Sequence, residues 1–309
     1  MTSNKNEPLV SICLLSYNDE QFIGQAIQDL LGQDHKNIEL IISDDCSKDN
    51  SPKIIQDFAK KDQRIRFFIQ RSRLGMQGNY NYLLGQAQGQ YFMWASSDDR
   101  WAPTYISTLL AIYRDYPAAT STAAPFLFIQ SDCGNIDRIS KTQNQHRLLN
   151  YEGEVAFVRL SKFAFYYFDD FFYGLHRRSG CEKLRVPVWW GLNKHVAWNN
   201  NYPVQAYLLA RGQYVRAKGQ PLFFKRLSDA AMPRHSDVPY RSRGLGSFAY
   251  ILRKINVWVE TLKSIHNGSG SIALTISVAP LFLIRCVFDC ARYIIATIKK
   301  INGKQLLRH

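Results

Sequence analysis

Strand-like and helix-like patterns alternate four times in the first 116 residues, and few folds can satisfy that alternation. Leu9–Ser16 is a short apolar run rich in β-forming residues, the mark of a strand covered on both faces. Asp19–Gln33 then places Phe22, Ile23, Ala26, Ile27, Leu30 and Leu31 on one helical stripe. Ile38–Ser43 reads as a second buried strand. Pro52–Lys60 reads as a helix, with Pro52 in its first turn and Asn50 or Ser51 as its cap. Arg64–Gln70, Asn79–Ala87, Tyr91–Ala95 and Pro103–Tyr116 continue as strand, helix, strand and helix. The series predicts an α/β fold: a doubly wound, mostly parallel sheet with right-handed crossovers. Ligands of such sheets sit beyond the carboxyl ends of the strands, where strand order reverses. Polar residues collect at those ends: Ser16-Tyr17-Asn18-Asp19, Asp44-Asp45 and Ser96-Ser97-Asp98-Asp99. No GxGxxG turn follows the first strand and the chain has no GxxxxGK[ST] loop, which argues against a dinucleotide dehydrogenase and a P-loop ATPase.

Two acidic clusters after two buried strands suit a nucleotide, a divalent metal, or both. A hard cation such as Mg²⁺ or Mn²⁺ takes few protein carboxylates and completes its shell with water and phosphate oxygens. Asp98 and Asp99 are the candidates for it, and Asp44 and Asp45 can accept from a base or a ribose. The competing reading is that these acids cap the βα turns.

Val10–Asn18 resembles the opening strand and (S/T)-Y-N turn of glycosyltransferase family 2. Ile41–Asp49 is similar to that family's V-D-D-G-S-x-D. Leu74-Gly75, Asn79-Tyr80-Asn81 and Ala87–Tyr91 resemble its third segment, and Trp94–Pro103 its D-x-D-D-x-W-x-P block. Four ordered blocks within about 90 residues carry the resemblance. It implies a GT-A fold, a nucleotide-diphosphate-sugar donor with UDP favoured, a divalent metal, and inversion at the anomeric carbon. By the same resemblance Ser16, Tyr17 and Asn18 line the base, Asp44 or Asp45 reads base or ribose, and Asp98 holds the metal. Arg71 or Arg73 partners the nucleotide or diphosphate. Two positions depart from the family. Ser96 stands where the first Asp of D-x-D is expected, and Trp198-Asn199-Asn200-Asn201 stands where an acidic general base is expected. His195 is the nearest titratable substitute, followed by Asp169 and Asp170.

Residues 1–120 read as the nucleotide-sugar-binding half, 121–240 as the acceptor half of the same domain, and 241–309 as a helical tail. Lys and Arg number 12 against 14 acids in the first of these, 16 against 9 in the second and 11 against 2 in the third. The basic surplus, +7 and then +9, lies wholly outside the first 120 residues and suits an anionic partner. In the tail, Phe248, Ile251, Ile255, Trp258, Leu262 and Ile265 form one helical seam. Gly268–Gly270 reads as a hinge, and the apolar run Ile272–Ile284 contains Pro280 and is short of a full span. Beyond it Arg285, Asp289, Arg292, Lys299 and Lys300 share a narrow polar stripe. The expectation is interfacial anchoring on an anionic cytoplasmic leaflet, or packing of the helices back on the domain. The six cysteines form no CxxC pair, and the polar first eight residues lack the apolar core of a signal peptide, so a reducing, cytoplasmic setting is expected. The function expected is sugar transfer to a glycan or lipid-linked acceptor in surface-polysaccharide assembly. The alternatives are a non-catalytic nucleotide- or glycan-binding relative and a nucleotidyltransferase. Nucleic-acid binding would rest on charge alone, with no motif behind it.

Overall fold

The computed structural model describes residues 7–129, 155–165, 170–187, 201–226 and 247–306. The alternation forms β1 (Val10–Ser16), α1 (Ile23–Leu31), β2 (Ile38–Asp44), α2 (Ser51–Ala59), β3 (Ile65–Ile69), α3 (Gly75–Gln86), β4 (Tyr91–Ser96) and, past the two-residue β5 (Arg100–Trp101), α4 (Tyr105–Asp115). After these come β6 (Ala119–Ala123), β7 (Phe126–Ile129), α5 (Ala156–Phe165), the 3-10 turn Asp170–Tyr173, β8 (Leu175–Arg177), α6 (Asn201–Arg211), β9 (Gln213–Arg216) and β10 (Phe223–Arg226). Helices α7 (Ser247–Ser269) and α8 (Ile272–Leu306) close the chain.

The main sheet has the order β3-β2-β1-β4-β8-β6-β9. Its first four strands are parallel, and β8 lies antiparallel between β4 and β6. Every residue of β1, β2 and β4 is buried, as their mostly apolar sequences lead one to expect, and the buried Ser11 donates to Glu39 (2.6 Å). Alternation within β1 serves two cores at once. Val10, Ile12 and Leu14 face α1, α2 and α4, whereas Cys13 and Leu15 face a second core built with α3, α5, α6, α7 and α8. Cys13 is fully buried, as expected of a small core side chain, and burial drives its thiol pKa far up. β1 is flanked by β2 and β4, so strand order reverses at its carboxyl end.

A small second sheet, β5-β10-β7, was not anticipated from sequence. Trp101 and Phe223 stack within it at 5.8 Å, and Arg100 is anchored by an ion pair to Asp29 of α1 (2.5 Å).

The tail is helical and packs on the domain. Trp258 of α7 meets Tyr202 of α6 (4.9 Å) and Phe282 of α8 (5.3 Å). The expected hinge is present, with Gly270 at φ +66° between the two helices. One expectation is corrected: the apolar segment is not confined to Ile272–Ile284, because α8 continues through Pro280 and beyond Ile284. Proline removes one N–H, but the helix on both sides carries the chain across. Ile272–Ala291, 20 residues at mean hydropathy 1.9, is therefore long and apolar enough to cross a membrane by length and composition.

Candidate active site

Four turns meet at the carboxyl ends of β1 to β4, and short hydrogen bonds stitch them together. Asp19 accepts from the Tyr17 amide (3.2 Å) and from the Ser97 hydroxyl, which ties the turn after β1 to the turn after β4. The Asn18 amide donates to Ser47 Oγ (2.9 Å), and Asn18 Oδ1 accepts from the Lys48 amide (2.8 Å). These bonds hold Asn18, itself exposed, at φ 51°.

The acids predicted at this rim divide into two groups. Asp44 and Asp45, read as base or ribose contacts, are 0% and 2% exposed and bond to groups of the turns around them. Asp44 accepts from the Ser47 amide (2.8 Å) and hydroxyl (2.6 Å); burial pushes its pKa up, partly offset by those bonds. Asp45 accepts from the amides of Leu74 (2.7 Å) and Gly75 (3.0 Å), fastening the turn after β2 to the start of α3. These are the bonds that the turn-capping reading calls for. Asp99, read as a second metal ligand, is likewise turned inward: it is 2% exposed and accepts from the Arg226 amide (2.8 Å). Burial, then the neighbouring Asp98 charge, holds its pKa well above the usual carboxylate range. Ser16, read as lining the base, is the fully buried last residue of β1 and lies beneath the rim.

Asp98 is the most exposed of the buried rim acids, at 8%, and accepts from the Ser96 hydroxyl at 2.6 Å. The serine that replaces an expected acid therefore donates to the remaining one and fixes its orientation. Among the described residues no group of three or more His, Cys, Asp or Glu could hold a metal. One oriented carboxylate still fits Mg²⁺ or Mn²⁺ where phosphate oxygens and water fill the other positions, because such ions bind through one or two carboxylates plus substrate.

Tyr17 and Arg73 come together although 56 positions separate them. The Arg73 guanidinium lies 3.8 Å over the Tyr17 ring, with Nε 3.9 Å from Asp45. A flat cation on an aromatic face, at the switch point of the sheet, is a surface for a planar base or a diphosphate. Arg71 is not part of it. It is exposed and lines a recess of about 520 Å³ with Phe68 and Tyr82, at the β3 edge.

Sequence reasoning missed the contribution of β10. Arg226 donates from Nε to the Asp98 carbonyl (2.9 Å) and lies 4.6 Å over the Phe22 ring, while Lys225 lies 4.9 Å over Tyr173. Nothing in the sequence links Lys225-Arg226 to acids more than 120 residues earlier. Of the predicted bases, Asp170 opens the 3-10 turn that ends at Tyr173, and its side chain is not among those described. Asp169 and His195 lie outside the described residues. Glu182, the remaining acid between Asp170 and Asp229, sits by residues that pair with Gln90 before β4, at the opposite end of the strands.

Comparison with known proteins agrees with this geometry. The profile of Glycosyl transferase family 2 matches residues 11–173. A GalNAc(5)-diNAcBac-PP-undecaprenol beta-1,3-glucosyltransferase of Campylobacter jejuni is 34% identical over 104 residues, 33% of this chain and 34% of the relative. Matched regions cover between about a third and about half of the length of three curated relatives. Among solved structures, S. aureus TarS in complex with UDP-GlcNAc superposes with a TM-score of 0.60 at 14% identity, covering 90% of this chain and 72% of TarS. The mannosyltransferase PcManGT of Pyrobaculum calidifontis, in complex with GDP-Man and Mn²⁺, gives 0.50 at 13% identity, covering 98% of this chain and 81% of its own. A family match across more than half of the chain, on a GT-A sheet whose switch point carries the matched turns, means that this protein belongs to glycosyltransferase family 2.

Proposed function

We propose that the protein transfers a hexose from a nucleotide-diphosphate sugar, UDP-linked by preference, to a glycan or lipid-linked acceptor, with inversion, in cell-surface polysaccharide synthesis. The observation that carries the reading is that the Tyr17–Arg73 plate and the Ser96-oriented Asp98 follow the ends of the neighbouring strands β1 and β4, where Leu15 pairs with Ser96. The plate binds and orients the nucleotide, and Asp98 faces its diphosphate. Asp98 would hold the divalent cation together with the diphosphate oxygens; when bound, that ion supplies charge neutralisation of the leaving group. In the transfer, the acceptor oxygen forms a bond to the anomeric carbon from the face opposite the diphosphate. The bond to the diphosphate oxygen breaks and leaves its electron pair there. The acceptor proton passes to a base, for which Asp170, Asp169 and His195 are the candidates. Asp170 has positional support, because its turn leads to Tyr173 beside Lys225 of β10. The names of relatives support the chemistry: one acts on an undecaprenol-linked glycan and one was solved with UDP-GlcNAc. By the same reading the protein works on the cytoplasmic face of the plasma membrane, drawn there by its basic tail.

A thermal-shift panel of UDP-, GDP-, CMP- and dTDP-sugars, each with and without Mn²⁺, tests the donor, since a ligand of the folded state raises its melting temperature by mass action. A UDP-sugar shift enhanced by Mn²⁺ is expected, and no shift with any sugar sinks the proposal. Donor binding without hydrolysis or transfer would identify a non-catalytic relative.

A further inference from the structure

Helix α8 is apolar on its open side as well as on its packed side. Val278, Phe282 and Cys286, spaced four apart, are buried against the domain, and Phe282 meets Trp258. The charged pair Arg285–Asp289 (3.0 Å) lies near that packed side, where Arg285 also donates to the Phe165 carbonyl of α5 (3.1 Å). The opposite side carries Ile276, Leu283, Ile284, Val287, Phe288 and Ile295, each between 45% and 66% exposed. None of the described residues exposed between Ile272 and Ile295 is charged. From Ile276 to Phe288 this side runs about 18 Å at helical rise. Beside it, α5 exposes Phe157, Val158 and Phe165. Contiguous apolar surface of this extent marks an interaction site.

Resting on the peripheral-membrane reading above, we infer that α8 lies flat in an anionic leaflet, its outer side in the headgroup–acyl boundary and its inner side still packed on the catalytic domain. Charge selects the occupant. Residues 241–309 hold 11 basic against 2 acidic residues, so a second copy seated there would oppose like charges, whereas anionic lipid neutralises them. Packing selects the orientation. A spanning α8 would have to strip Phe282 from Trp258 and carry Arg285 and Asp289 into hydrocarbon.

The full-length chain with a C-terminal epitope is floated with phosphatidylcholine vesicles, with and without phosphatidylglycerol, and then treated with external protease. Flotation with the anionic vesicles and complete removal of the epitope are expected. Leu283→Glu/Phe288→Glu should lower vesicle partitioning at least about tenfold, with melting temperature and UDP-sugar binding unchanged. An epitope protected from protease overturns the flat orientation and leaves the membrane reading standing. A wild-type chain that binds no vesicle yet binds donor overturns both, and a dimer broken by the same two substitutions would make this surface a self-interface.

Discussion

At the scale of single residues, Asp44, Asp45 and Asp99 accept from backbone amides, whereas Asp98 accepts from the Ser96 hydroxyl. Asp98→Asn is expected to cut turnover at least about 100-fold while leaving the melting temperature unchanged. Full activity at saturating donor and metal would refute its role. Asp45→Asn should behave in the reverse way: it keeps one acceptor oxygen, leaves the other backbone amide at the start of α3 facing an NH2 group, and lowers stability by about 1–3 kcal/mol, measurable by chemical denaturation. Arg73→Ala removes the plate over Tyr17 and should weaken donor affinity by about tenfold, or ~1.4 kcal/mol, in calorimetry. Arg71→Ala should leave that affinity unaltered. The sequence could not separate these pairs. Asp44, Asp45, Asp98 and Asp99 all follow buried strands, and what distinguishes them is the partner each meets. The amides of Leu74 and Gly75 lie about 30 positions from Asp45, and the amide of Arg226 lies 127 positions from Asp99. Periodicity carries no information over such separations.

At the scale of elements, the strands and helices of the first 116 residues were legible because burial on both faces writes itself as mostly apolar runs. The two-residue β5 and the four-residue β7 were not legible, and of β10 only Leu222–Phe224 reads as a short strand, since a strand that short has too few alternations to show a period. The tail helices were legible as helices, but their packed and open sides were not, because both sides of α8 are apolar. Close approach of α7 to α6 was invisible for a similar reason. A Cβ on Gly268 would lie 2.5 Å from the Tyr207 carbonyl oxygen. Gly268→Val should therefore push the helices apart and cost about 1–3 kcal/mol, read as a lower denaturation midpoint with donor affinity retained.

For the molecule as a whole, one buried histidine should give stability a pH dependence opposite in sign to that of the buried Asp99. His176 is fully buried between the Ser121 hydroxyl (3.0 Å) and the Phe172 carbonyl (3.2 Å), with Trp94 and Phe92 beside it. Burial lowers its pKa from 6.5 to about 4. The unfolded chain takes up this proton near pH 6.5 and the folded chain only near pH 4, so the contribution is intact above the first value and is lost on descent to the second. The loss is on the order of 3 kcal/mol for that shift. Melting temperature should fall across the interval, and His176→Gln should flatten the slope despite lower stability throughout. An unchanged slope in the variant would place the dependence elsewhere.

β8 has a consequence for how the chain can be divided. Its three residues, Leu175–Arg177, close the flank of β4 and join the parallel half of the sheet to β6 and β9. A fragment ending before β8 would keep all four nucleotide-side turns but leave the hydrogen-bonding groups of β4 unmatched along an apolar strand. Such an edge recruits strands from other molecules. During synthesis the ribosome must add more than 80 residues after β4 before this seam can shut. For that time the growing chain is exposed to self-association, and expression trials of the first 129 residues alone should give aggregate rather than a soluble donor-binding module.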